Sequence, residues 1–110
     1  MASAKALAKN EELFRNVNER IEEISAGVPR DQPLLEFLCE CDRTGCEEKI
    51  QAARAEYESI RAKPTHFIVL PGHEDARVER IVSSTDRFIV VEKRGQAARD
   101  AKQTDPRGPH

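Results

Sequence analysis

The stretch Leu34–Ile50, "LLEFLCECDRTGCEEKI", decides how this chain is read. It holds all three cysteines and a change of periodicity. Up to Cys41 the residues alternate: Leu35, Phe37, Cys39 and Cys41 face one side, and Leu34, Glu36, Leu38 and Glu40 the other. Period two predicts a strand with one side buried, and it sets two thiols on the same face at the end of an apolar row. "DRTGC" then turns the chain. Thr44 and Glu47 fit a capping box with Thr44 as N-cap. From Cys46, the positions Ile50, Ala53, Tyr57 and Ile60 step by 4, 3, 4 and 3. That spacing predicts a second helix with Cys46 in its first turn, ending before Pro64.

Working outward, "EELFRNVNERIEEIS" precedes this stretch and predicts a first helix over residues 11–25. Its apolar positions Leu13, Phe14, Val17, Ile21 and Ile24 form one stripe, spaced like a coiled-coil seam. Asn10 caps its start, and Gly27 and Pro29 stop it. The opposite face, with Arg15, Glu19, Glu22 and Glu23, is expected in water. The seam either docks on the domain's own sheet or pairs with a second chain. "VPRDQP" links this helix to the first strand. Downstream, "THFIVL" predicts a strand, "PGHED" a loop, and residues 78–92 a hairpin with its turn around Ser84–Asp86. Residues 75–82 also fit a helical turn. The order gives an α+β fold: an N-terminal helix, a β-α-β unit, then a β-hairpin, with two helices on one face of a small sheet.

Composition bounds the domain. The start, residues 1–10, and the end, residues 94–110, read as a flexible N-terminus and a disordered basic tail. They leave a single domain over 11–93, a size at which a metal often supplements the core. With no Trp, one Tyr and four Phe, the core is mainly aliphatic. Residues 1–92 carry 13 Lys/Arg against 18 Asp/Glu, and the last 18 residues carry five against two. An acidic body argues against a nucleic-acid-binding face, which needs a basic surface. No apolar run approaches a membrane span, and no signal peptide opens the chain, so the expected compartment is the cytoplasm. Thiols stay reduced there, and three clustered cysteines read better as a metal site than as a disulfide framework.

Three converging thiolates need a countercharge, and structural Zn2+ takes four Cys or His donors in a tetrahedron. For the fourth ligand, His110 ends the tail and His66 lies within a strand. His73, in "PGHE", sits just past the end of the "THFIVL" strand. If that strand runs parallel to the first, through a crossover made of the second helix, both end at one edge and His73 reaches the sulfurs. The expected site is Cys39, Cys41, Cys46 and His73 around a structural zinc. With no open coordination position, the chain reads as a regulatory or adaptor module acting through protein–protein contact rather than as an enzyme. Its partner would be another protein or a second copy, met through helix 11–25. The alternative is a thiol-based redox sensor or enzyme, with Cys46 activated at a helix start and resolved by Cys39 or Cys41. His73 followed by Arg77 four positions on is not a metalloprotease helix, and no phosphate-binding or nucleophile-elbow motif is present.

The segments "LFRNVNERIEE", "FLCECDRTGCEEKI", "AEYESIRAKPTHFIVLPGHE" and "DRFIVVEKRG", in this order, resemble a group of small actinobacterial proteins with no established activity. The resemblance implies no reaction. It supports grouping Cys39, Cys41, Cys46 and His73 as one site.

Overall fold

Antiparallel pairing organises both sheets of the molecule. The computed structural model describes residues 4–43 and 45–107, with side chains from residue 11 onward. Helix α1 (Ala4–Ile24) is followed by strands β1 (Leu35–Leu38) and β2 (Lys49–Ala52) and helix α2 (Arg54–Arg61). Strands β3 (His66–Val69), β4 (Glu79–Ser84) and β5 (Ile89–Lys93) and helix α3 (Gly95–Gln103) complete the chain. β1 and β2 form a two-stranded sheet; the other is three-stranded in the order β3-β5-β4. The α+β class, the N-terminal helix and the hairpin are as the sequence predicts.

The predicted second helix is shorter than its stripe. Lys49–Ala52 is a strand with Ile50 and Ala52 facing inward, paired antiparallel to β1 with Phe37 opposite Ile50. The spacing Cys46, Ile50, Ala53 satisfies helical periodicity, but Ile50 and Ala52 also satisfy period two. Ladder bonds to β1 decide between them. α2 starts only at Arg54, where the Glu56 carboxylate accepts from the Ala53 N–H at 2.8 Å. The Thr44 cap lies outside the described residues. No parallel β-α-β unit joins β1 to β3, since the two strands belong to different sheets and β3 pairs antiparallel with β5.

The two helices expected on one face are on opposite faces of the larger sheet. Ile60 of α2 lines a cleft with Val82 and Val90, while Phe67 packs under Arg15 of α1 and lines a cavity with Ala97 and Ala101 of α3. The core joins Phe37 and Tyr57, stacked at 4.5 Å, to Phe67, Ile68, Val69 and Val91. Lys93 is on the central strand and buried, ion-paired with Glu11 and Glu79.

Helix α1 docks the wrong way round for its sequence. Leu13, Val17 and Ile24 are 56 %, 37 % and 72 % exposed, whereas Glu11, Arg15 and Asn18 are buried. Of the expected wet face, Arg15 is therefore buried, Glu19 and Glu22 are half-buried and Glu23 is exposed, while Phe14 and Ile21 of the stripe stay half-buried, Ile21 against the core. Arg15 donates to the Pro64 and Ala101 carbonyls, each at 2.9 Å, and lies 4.7 Å above the Phe67 ring. Asn18 bonds both the N–H and the C=O of Leu38. These contacts satisfy buried polar groups that an apolar stripe would leave unpaired.

The expected tail is likewise structured over 95–103. α3 buries Ala101, and beyond it Asp105 forms a buried ion pair with Arg61. At the other end, α1 starts at Ala4 rather than near Asn10, so residues 4–10 are helical where a flexible start was expected.

Candidate metal centre

Two tight turns deliver two of the four donors. In Leu70–His73 the His73 N–H bonds the Leu70 carbonyl at 2.9 Å, with Pro71 second and Gly72 third. Gly72 has φ +87°, which the third place of a type II turn requires and which side-chain-bearing residues avoid. The second turn repeats the device: the Cys46 N–H bonds the Arg43 carbonyl at 3.1 Å, and Gly45 has φ +81°. Each turn carries a ligand at its fourth residue. The Arg43 guanidinium donates to the Gly72 carbonyl at 2.6 Å and ties the turns together.

Cys39 and Cys41 come from the chain just beyond β1. The Cys39 N–H bonds Glu48 O at 2.9 Å, continuing the β1–β2 pairing past its last strand residue. Between the cysteines, Glu40 grips the outer edge of β3. Its N–H bonds Ile68 O at 2.8 Å, and its carboxylate accepts from the Ile68 N–H at 3.1 Å. The other carboxylate oxygen accepts from Asn18 and from the Tyr57 hydroxyl, each at 2.8 Å. Burial pushes the Glu40 carboxyl above its ordinary range, against these donors. Alternation put Glu40 on the face away from the cysteines, and nothing local marks it as buried. Its partners Asn18, Tyr57 and Ile68 are 17 to 28 residues away in the chain.

The four donor atoms of Cys39, Cys41, Cys46 and His73 lie within 4.8 Å of one another. His73 Nδ1 is 3.7 Å from the sulfurs of both Cys39 and Cys46. For Zn–S near 2.3 Å and Zn–N near 2.0 Å, a tetrahedral S···N edge is about 3.6 Å. The donor set and its spacing therefore fit zinc. The Leu70 N–H donates to Cys39 Sγ at 3.3 Å, a supporting bond that orients the sulfur and spreads its charge.

Thiol protons are shared unequally. Hydrogen bonds from Cys39 and His73, together with the Arg43 backbone, hold the Cys41 thiol down to about 4, against the cost of burial. Its bond to Cys41 and burial push Cys39 up, and burial pushes Cys46 up. Metal binding needs the sulfurs deprotonated, so an incoming cation would release thiol protons. The expectation of a low-pKa Cys46 at a helix start is overturned, since no helix begins there.

Other sequence candidates fall outside the cluster. His66 bonds Glu92 at 3.1 Å on the sheet. Glu74 accepts from the Gly72 N–H at 2.9 Å and supports the turn. His110 lies outside the described residues. No helix among the described residues is long and apolar enough to cross a membrane. No family model, curated protein or solved structure matches this chain.

Proposed function

We infer that this protein is a small zinc-binding module of regulatory or adaptor type, in which zinc is structural and a protein surface does the work. The observation that carries the metal is the pair of 3.7 Å separations from His73 Nδ1 to two sulfurs, close to the edges of a zinc tetrahedron. Three thiolates and one imidazole fill that tetrahedron and leave no position for a reacting water. The ion would join the end of β1 to the two glycine turns.

The working surface is the outward seam of α1. Leu13, Val17 and Ile24 stand exposed on a helix anchored by its polar face, and clustered exposed apolar side chains commonly mark an interaction site. A second copy or another protein with an apolar face would cover them. The double variant Leu13→Glu, Ile24→Glu tests this. It should keep the melting temperature within a few degrees and abolish self-association in sedimentation, or partner capture. Native mass spectrometry tests the metal: one zinc per chain is expected, lost in His73→Ala.

A further inference from the structure

The three ligand sulfurs are not equally reachable. Cys39 and Cys41 are buried at 1 % exposure, while Cys46 is half-buried. Cys46 also lies outside any helix or strand, at the end of the Arg43–Cys46 turn. We propose that Cys46 is an oxidation site through which a hydroperoxide ejects the metal, so that the centre answers to oxidant as well as pinning the fold. This rests on the zinc site inferred above.

The chemistry follows from placement. Zinc would hold Cys46 as a thiolate, and Cys46, the least buried of the three cysteines, is the one a small peroxide meets first. The sulfur attacks one peroxide oxygen, the O–O bond breaks, and hydroxide or alkoxide leaves. Cys46 becomes a sulfenic acid, a poor zinc ligand. A neighbouring thiolate within the 4.8 Å cluster then attacks the Cys46 sulfur, forms the S–S bond and expels hydroxide. Two electrons pass from two thiolates to the peroxide, and water supplies the two protons that the released anions take up.

Cys41 is the favoured resolving partner. The Cys39 sulfur is retained by the Leu70 N–H, which leaves Cys41 to resolve. A disulfide between Cys39 and Cys41 would join alternate residues of an extended segment and is geometrically poor. Losing two of four ligands releases the ion.

The test uses the zinc-loaded full chain and hydrogen peroxide, with a colorimetric zinc indicator and thiol titration. One zinc should appear per two thiols lost. Trypsin should then yield the peptide 31–43, carrying Cys39 and Cys41, cross-linked to 44–49, carrying Cys46. Excess thiol with zinc should reverse both changes. Cys46→His removes the oxidisable sulfur, so the zinc it holds should leave at least roughly ten-fold more slowly under peroxide, and no cross-linked peptide should form. Wild-type zinc retained under peroxide, or released with no cross-link to Cys46, overturns the switch and leaves the zinc site standing. Protein that binds no zinc before oxidation overturns the site and the switch together.

Discussion

Replacing Asn18 by Ala should destabilise the protein far more than removing any apolar side chain of the α1 seam. Asn18 is fully buried and makes three hydrogen bonds: to Leu38 O at 2.8 Å, to Glu40 Oε2 at 2.8 Å, and from Leu38 N at 2.7 Å. Alanine would strand a buried N–H and weaken the support of a buried carboxylate. A buried hydrogen bond contributes about 1 kcal/mol, so losing three costs roughly 3 kcal/mol, and the stranded Leu38 N–H adds to it. For a domain of this size that lowers the melting temperature by roughly 12–25 °C. Leu13→Ala removes a side chain that is 56 % exposed and restores a better helix former, so its cost should stay below about 0.5 kcal/mol. Urea unfolding followed by circular dichroism measures both. The opposite ranking, with Leu13→Ala costly and Asn18→Ala mild, would refute the docking of α1 by its polar face.

Three further outcomes are expected. Burial raises the Glu11 carboxyl to about 7 despite Lys93, so its folded-state value exceeds the unfolded one; its stabilising contribution is complete below pH 4.5 and is lost as pH rises through 7. Glu11→Gln should therefore gain on the wild type by on the order of 2 kcal/mol between pH 4.5 and pH 8, and a pH-independent difference in paired melts would contradict this. Ending the chain after Arg94 removes the acceptors that Arg15 and Arg61 find at Ala101 and Asp105. Stranding those buried charges costs about 3–5 kcal/mol, and a truncated protein that melts within 5 °C of the full chain would show the segment dispensable. Gly72→Ala forces a residue with a Cβ into φ +87°, so zinc affinity should fall by roughly ten-fold or more in competition with a chelator, against no change if the turn is merely a connector.

Much of the larger sheet was legible because its signals are local. The short apolar runs Phe67–Val69 and Phe88–Val91 and the turn between β4 and β5 need no distant partner. His73 was legible too, and the Pro71–Gly72 bend aims it as the sequence suggests; the mistaken part was the parallel crossover, in whose place the Glu40 grip on β3 brings it to the sulfurs. The orientation of α1 was hidden. Its apolar stripe has the stronger periodicity, and the acceptors that draw Arg15 inward lie at Pro64, Ala101 and Thr104, 49 to 89 positions away. α3 was hidden because alanines and charged residues carry no apolar stripe. It is held by a carbonyl and by the Arg61–Asp105 pair that follows it. β2 was hidden because four residues are too few to separate period two from period 3.6 when both place Ile50 inward.

Zinc content of the folded chain, read alongside its melting temperature in chelator, bears most directly on the whole proposal. One zinc per chain is expected, with a fall in melting temperature of at least roughly 15 °C when a strong chelator removes it, restored by adding zinc back. A chain that purifies free of zinc, takes none up when offered it, and melts at the same temperature with and without chelator would contradict a metal-held fold.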